Sequence, residues 1–272
     1  MTAINTNVGA LNARLYALKA NSGQEKAMER LSSGQRVNSA ADDAAGLAVA
    51  GKMESQLRGI NMAVRNAQDG VGLIQSAESG LNEIRNMILR IRELAVQMAN
   101  GIYENTPDRQ NAQLEVAALV AQVDLISNNT TFNDVKLIDG SFSSVTIQAG
   151  NTTAETIELS FIDVGSTGLT IQSATVATQS DAKVAIGTMD TALQTIAGEQ
   201  AKFGSYINRL NYSVANLSRA SVMTEQALGR IMDADFASES TNLSKQQILN
   251  QAATAMLAQA NQSKGLLLQL IQ

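Results

Sequence analysis

The chain has 272 residues, of which 44% are hydrophobic and 3% aromatic, and it carries a net charge of −5. The mild negative charge offers no basic surface for nucleic acid or an anionic membrane. Because histidine and cysteine are absent, the commonest general base, the commonest transition-metal ligands and any disulfide are excluded, so we expect no catalytic residues, no metal site and no cofactor.

The N-terminal helix shows apolar residues at alternating spacings of four and three, and between Met1 and Lys19 only Arg14 interrupts a run without charge. We expect this helix to end within residues 31–34 and to run into a loop. The first 19 residues lack the features of a cleaved secretory signal, so any export should follow another route. The apolar stripe, which we predict to take part in self-assembly, consists of Ile4, Val8, Leu11, Leu15 and Leu18.

A very long second helix is predicted from Ser39, as the capping residue, to Asn100-Gly101. Asp42 then lies in its first turn, where the helix dipole favours an acid. Apolar residues recur every seven positions, which is typical of a helix packed along its length against other helices. The main row of this repeat is Ile60, Ala67, Ile74, Leu81, Ile88 and Ala95. A second row of apolar residues beside it changes phase near Gly80, which indicates a change of packing partner there.

The third helix is predicted to begin at Thr106-Pro107 and to bury Leu114, Ala118, Ala121 and Leu125. A loop should follow at residues 127–131. The period then changes to alternation of apolar and polar residues, which predicts short strands. We expect these strands to form β-hairpins that cap one end of the helical bundle. The three alternating segments are residues 145–148, 156–161 and 169–171.

A seven-residue repeat runs without proline from Ile186 to Ile231 and predicts one long helix that ends near Asp233-Ala234-Asp235. The C-terminal helix after it is apolar on one face and carries only Lys264 as a charge from Gln246 onward. We expect both terminal helices to be poorly ordered in the monomer. The C-terminal positions predicted to take part in self-assembly are Leu249, Met256, Leu257, Leu267 and Leu270.

These elements predict a mainly α fold: a long antiparallel helical bundle or coiled coil with paired terminal helices and a small β-hairpin region. The sequence contains no stretch of about 20 apolar residues, so we predict no membrane-spanning helix. The acidic pairs Asp42-Asp43 and Asp233/Asp235 stand at helix ends, where acids at a helix start are favoured, so a structural role is favoured over a metal site.

Four stretches together resemble the bacterial flagellin family. They are residues 31–48 (LSSGQRVNSAADDAAGLA), 90–97, 132–137 and 253–262, in the family's order. The resemblance covers roughly residues 1–142 and 182–272 and is weak in the β-region. It implies a short flagellin, with an inner domain of terminal helices formed by residues 1–35 and 233–272. The implied outer domain comprises residues 36–131, a β-hairpin region at 132–181, and a long helix at 182–232.

By the same resemblance, the expected function is a subunit that is exported unfolded and self-assembles into the extracellular filament used for swimming. The implied partners are copies of itself, an export chaperone at the C-terminal helix, and the filament cap and junction proteins. Flagellins also resemble ligands of a Toll-like receptor, and the implied contacts are Arg90, Leu94 and Glu115. A hook–filament junction protein and a secreted receptor ligand remain the alternatives.

Overall fold

The computed structural model describes residues 6–269, with side chains described to Ser263. The fold is mainly α, as predicted, with small antiparallel hairpins between the third and fourth long helices. The elements in chain order are α1 (Val8–Ser33), α2 (Ala44–Met98), a π-helical turn (Asn105–Arg109), α3 (Gln110–Asn129), β1 (Thr131–Phe132), β2 (Val135–Lys136), β3 (Ser144–Gln148), β4 (Thr156–Ser160), α4 (Gln179–Met232) and α5 (Phe236–Gln269).

The ends of α1 and α2 follow local backbone chemistry. Gly34 takes a left-handed conformation with φ 71° and ends α1, as predicted from the sequence. The predicted start of α2 is wrong, because Ser39 and Asp42 bond to each other in a turn before the helix. Asp43 caps α2, since its Oδ1 accepts a hydrogen bond from the backbone N–H of Gly46 at 2.8 Å.

The connection between α2 and α3 is organised by Arg109 and not by the predicted Thr106 cap. Thr106 has extended backbone angles, and α3 begins only at Gln110. The Arg109 side chain is 3% exposed, and its guanidinium donates to the carbonyl oxygens of Met98 and Asn100, both at 2.9 Å. A buried guanidinium therefore satisfies carbonyls that the end of α2 leaves without helical partners.

The predicted buried stripe of α3 is also wrong. Leu114 is 71% exposed, and Ala118, Ala121 and Leu125 are exposed with it. The helix instead buries a different face, which includes the hydroxyl of Ser127; Ser127 Oγ donates to the carbonyl oxygen of Ile138 at 2.8 Å. The buried residues are Ala112, Val116, Val123 and Ser127.

Two antiparallel hairpins form the β-region. Strands β3 and β4 pair from Ser144↔Ser160 to Gln148↔Thr156 and agree with the first two predicted strands. The third predicted strand, 169–171, is a turn with Leu169 and Ile171 buried. Sequence analysis missed the β1–β2 hairpin, whose turn residues Asn133 and Asp134 both have positive φ, a conformation that these two residue types tolerate.

The segment from β3 to α4 lies along the flank of the helices instead of capping their end. The hydroxyls of Ser160 and of Tyr206 on α4 are 2.8 Å apart. Further along the segment, the backbone N–H of Val176 donates to Gln113 Oε1 on α3 at 2.6 Å. The alternating pattern indicated strands, but it carried no information about where the hairpins would dock.

The chain divides into two compact units. The terminal unit contains the described residues up to Leu57 and from Val222, and the central unit contains Arg58–Ser221. The domain boundaries implied by the flagellin resemblance, at 35/36 and 232/233, remain predictions. Within residues 6–269, no helix combines the length and apolar character needed to cross a bilayer.

The hydrophobic core lies in the central unit, where α2 and α4 run antiparallel. Their register is shown by Gln200 Nε2, which donates to Asn82 Oδ1 at 2.7 Å, and by Arg92 Nε, which donates to Asp190 Oδ1 at 2.6 Å. Large side chains fill the space between the helices and the β-region. Fully buried examples are Ile74, Leu81, Ile84, Ile88, Leu159, Met189, Ile196 and Phe203.

Candidate functional site

The two terminal helices form an antiparallel pair inside the terminal unit. Asn7 Nδ2 at the start of α1 donates to the carbonyl oxygen of Ala260 at 3.1 Å. Near the other end of α1, Arg30 lies 3.9 Å from the carboxylate of Glu239, in the first turn of α5. The start of α1 therefore lies beside the later part of α5, and the end of α1 lies beside the start of α5, which defines an antiparallel pair.

The seam between α1 and α5 is made of alanine. Ala13, Ala20 and Ala27, spaced by seven residues, are the buried residues of α1, and Ala253 is buried on α5. The side chain of Gln246 on α5 lies over Gly23 of α1, where an added Cβ would be 2.8 Å from its Cδ. The only sequence signal for this seam was the seven-residue spacing of three alanines, which sequence analysis missed in favour of the larger leucines.

The apolar stripe of α1 faces away from α5. At 100° per residue, positions 8, 11, 15 and 18 lie on the side of the helix opposite Ala13 and Ala20. Leu15 is 64% exposed, and Val8, Leu11 and Leu18 are exposed to a similar degree. Small alanines, and not this stripe, therefore form the seam with α5, and the role of the stripe in self-assembly stays a prediction. Ile4 lies outside the described residues.

The predicted C-terminal positions are divided between exposed and half-buried environments. Met256 is 63% exposed and Leu249 is also exposed, whereas Leu257 is half-buried. Leu249 and Met256 line a groove of about 1090 Å³ that runs between α1 and α5, together with Tyr16 of α1. Leu270 and the side chain of Leu267 lie outside the described part of the chain.

The two acidic pairs have structural roles in the terminal unit. Asp235 Oδ1 accepts from the backbone N–H groups of Ala237 and Ser238, at 3.0 and 3.2 Å, and so caps α5. Hydrogen bonds from Ser39 hold the pKa of Asp42 below its ordinary value of 3.8. Within residues 6–269, no cluster of acids is arranged to bind a metal ion.

The residues implied as immune-receptor contacts lie in the central unit, and only two of them are at the surface. Arg90 of α2 and Glu115 of α3 form an exposed ion pair with Nε and Oε1 2.8 Å apart. The hydrogen bond to Glu115 is the main cause that raises the pKa of Arg90. Leu94 is 4% exposed and belongs to the core, and its assignment as a contact stays a prediction.

Comparisons with known proteins identify relatives along the whole chain. The family model for the bacterial flagellin N-terminal helical region matches residues 4–143, and the model for the flagellin C-terminal helical region matches residues 186–271. A flagellin of Halalkalibacterium halodurans is 40% identical over 99% of both chains.

Solved structures give the same result for the fold. The crystal structure of Bacillus cereus flagellin matches 56% of this chain and 88% of its own, with 32% identity and a TM-score of 0.52. A putative flagellar hook-associated protein from Vibrio parahaemolyticus matches 71% of this chain and 100% of its own, with a TM-score of 0.61. Its 14% identity shows a shared fold alone.

Proposed function

The chain belongs to the bacterial flagellin family, whose members are the structural subunits of the flagellar filament, and from this premise we propose how its own residues drive assembly. The terminal helices become firmly ordered only when further copies cover their exposed apolar faces. The single observation that supports this mechanism is that the α1–α5 pair buries alanines and exposes leucines. The junction-protein and receptor-ligand alternatives are not favoured by relatives that are flagellins over the whole chain.

Burial within the terminal pair is small. The side chain of each seam alanine contributes one methyl group, so four of them give about 3 kcal/mol of hydrophobic stabilisation in total. Burying a single exposed leucine against another copy would contribute about 2 kcal/mol, and α1 presents Leu11, Leu15 and Leu18. Covering these three leucines would therefore contribute about 6 kcal/mol, more than the buried alanines of the pair provide.

The amide and hydroxyl groups of the termini are suited to burial between subunits. No Asp or Glu occurs before Glu25 or after Glu239. Uncharged groups cost less free energy than ions when they lose water, provided that they find hydrogen-bond partners. Asn21 and Asn250, which bond to each other across the pair, already show this kind of contact within one chain.

Removal of residues 246–272 tests the mechanism. The truncated chain should add to filament seeds at no measurable rate, because it lacks most of α5, while amides of the central unit keep their protection from hydrogen exchange. Full-length protein on the same seeds is the control. Polymerisation of the truncated chain at the normal rate would refute late ordering of the terminal pair as the driving force.

Export and capping are proposed on the family resemblance. An export chaperone would hold α5, and the exposed side chains of Leu249 and Met256 support this. The variant Leu249→Ala/Met256→Ala should weaken the binding of the cognate chaperone at least about tenfold if each side chain contributes about 1 kcal/mol or more. Unchanged affinity in calorimetry would place the chaperone elsewhere.

Filament cap and junction proteins are proposed as partners on the resemblance alone. Cells that lack either protein should fail to grow filaments at their surface, and normal filament growth would contradict the proposal.

Recognition by a Toll-like receptor is supported only by the exposed Arg90–Glu115 pair. Depolymerised protein should activate receptor-reporter cells, and Arg90→Ala/Glu115→Ala should reduce that response. No activation by the unmodified monomer would refute the proposal. Since flagellins are structural proteins, we propose no catalytic role.

A further inference from the structure

We propose that Asn100 and Gly101 form a self-modifying site, at which the folded chain promotes conversion of Asn100 to isoaspartate with release of ammonia. These two residues are the one Asn-Gly pair of the sequence. They lie in the exposed turn that follows α2. The reaction takes place within one chain, so it does not depend on the proposed self-assembly.

The reaction first joins the backbone nitrogen of Gly101 to Cγ of Asn100. The nitrogen gives its proton to water, the new C–N bond closes a succinimide ring, and the side-chain amide nitrogen takes up a proton and leaves as ammonia. Water then adds to the backbone carbonyl carbon of Asn100, and the bond from that carbon to Gly101 breaks. The product is an isoaspartate with a free α-carboxylate. The net change is the gain of one water and the loss of one ammonia, so no oxidant or reductant is needed.

The turn leaves the reacting atoms accessible. Glycine has no side chain that would hinder the approach of its nitrogen to the neighbouring amide. Both residues are exposed, so water reaches them. Asn100 lies beyond Met98, the last residue of α2, and among the described residues no backbone carbonyl accepts from the N–H of Gly101. The nitrogen is therefore not held in the helical hydrogen-bond ladder.

Two donors face the atoms on which negative charge develops. Arg109 Nη2 donates to the backbone carbonyl oxygen of Asn100 at 2.9 Å. This oxygen shares the charge when Gly101 loses its proton, because the carbonyl and the nitrogen belong to one conjugated amide. The N–H of Ile102 donates to Asn100 Oδ1 at 3.3 Å, which becomes negative as Cγ is attacked. Donors that are already in place stabilise such charges in a transition state.

The product also supplies a counter-ion that Arg109 lacks. The Arg109 side chain is 3% exposed. Among the described residues its acceptors are all neutral: the carbonyl oxygens of Met98, Asn100 and Tyr103, and Oδ1 of Asn105. A buried cation without an anion is costly. The α-carboxylate of an isoaspartate at position 100 would stand where Arg109 already holds a carbonyl oxygen, and charge-assisted hydrogen bonds are stronger than neutral ones.

Incubation of the full-length protein in water enriched in heavy oxygen tests the site. Ring opening places the label in the tryptic peptide of residues 93–109, which mass spectrometry measures, and isoaspartyl methyltransferase identifies the isoaspartate. Asn100 should react at least about tenfold faster in the folded chain than in the same chain unfolded by urea, a factor that one hydrogen bond from a charged donor can supply. Asn133, exposed in the β1–β2 turn but followed by Asp134, is the internal control and should remain unlabelled.

Two variants separate the roles of the residues. Gly101→Ala should slow the reaction at least about tenfold and keep the fold, because the added Cβ would lie in ordinary contact, 3.5 Å from Nε2 of Gln179. Arg109→Lys should slow it as well, since lysine lacks the planar fork. Arg209→Lys, at an exposed position of α4, is the matched control and should react at the native rate.

Four results would overturn the inference. They are equal rates in the folded and unfolded chains, a native rate in folded Arg109→Lys, aspartate as the main product, and labelling of Asn133 equal to that of Asn100. Circular dichroism shows whether Arg109→Lys folds; if it does not, the comparison of the folded and urea-unfolded native chains decides. Polymerisation of the chain is not measured in any of these experiments, so their failure would leave the proposed function standing.

Discussion

The terminal unit and the central unit hold their helices together with different side chains. In the central unit, isoleucine, leucine, methionine and phenylalanine fill the space between α2, α4 and the β-region. In the terminal unit, α1 and α5 meet through alanines, while Leu11, Leu15 and Met256 point to water. Large side chains stabilise a single chain, whereas an alanine seam brings two helices together and leaves their leucines for further copies.

The central unit should depend on individual large side chains, and Phe203→Ala should have the largest effect. Phe203 is fully buried, and its ring centroid is 5.5 Å from that of Phe161. Lost burial and the remaining cavity should lower the free energy of unfolding of the central unit by about 4 kcal/mol. Hydrogen exchange of central-unit peptides measures this change. Tyr212→Ala, at an exposed position of α4, is the control, and an equal effect there would contradict the difference between the units.

Arg109→Met should have the next largest effect. The variant keeps an unbranched side chain but removes the donors to the carbonyls of Met98 and Asn100. Unpaired buried carbonyls should cost about 3 kcal/mol of unfolding free energy, and Arg109→Lys should fall between the variant and the native chain because lysine lacks the planar fork. Denaturant melts of both variants check this. Arg209→Met, at an exposed position, should change little, and equal losses at the two arginines would show that the buried hydrogen bonds are unimportant.

Glu199→Leu should stabilise the central unit. Glu199 is buried, Lys202 Nζ donates to its Oε2 at 3.0 Å, and among the described residues no donor reaches its Oε1. Replacement by an apolar side chain should raise the unfolding free energy by about 1 kcal/mol, because the desolvated carboxylate is removed. Lys202→Met should instead destabilise, since it leaves the carboxylate without its cation. Thermal melts that rank the two variants in the opposite order would exclude this explanation.

Leu15→Ala should have the smallest effect on stability and a large effect on assembly. The side chain is exposed in the single chain, so the unfolding free energy should change by less than about 0.5 kcal/mol, while elongation of seeds should slow at least about tenfold if one leucine contributes about 2 kcal/mol to the contact. Leu94→Ala is the matched control: as a buried residue of the core, it should cost about 3 kcal/mol of stability. Light scattering on seeds and melts measure both quantities. If Leu15→Ala elongates normally, the stripe is not an assembly surface.

The structure also shows where sequence patterns become ambiguous. The seven-residue repeat of α4 has one apolar stripe, and its prediction as a continuous helix is confirmed. Helix α3 has two candidate faces, one with Leu114 and Leu125 and one with Val116 and Val123, and the pattern favoured the larger residues although the smaller ones are buried. In a protein whose copies pack together, exposed leucine and buried alanine can occur on the same helix, so side-chain size alone does not identify the inner face.

The sequence by itself determined the long helices, the approximate ends of α1 and α4, the strands β3 and β4, and the resemblance to flagellins, because these depend on local periodicity, capping and contiguous motifs. Only the tertiary structure decided that alanine forms the terminal seam, that Arg109 closes the end of α2, and that Leu94 is buried while Leu15 is exposed. The physical reason is that the burial of a side chain depends on how closely another segment approaches it. That approach depends on residues far apart in the chain, such as the buried alanines Ala20 of α1 and Ala253 of α5.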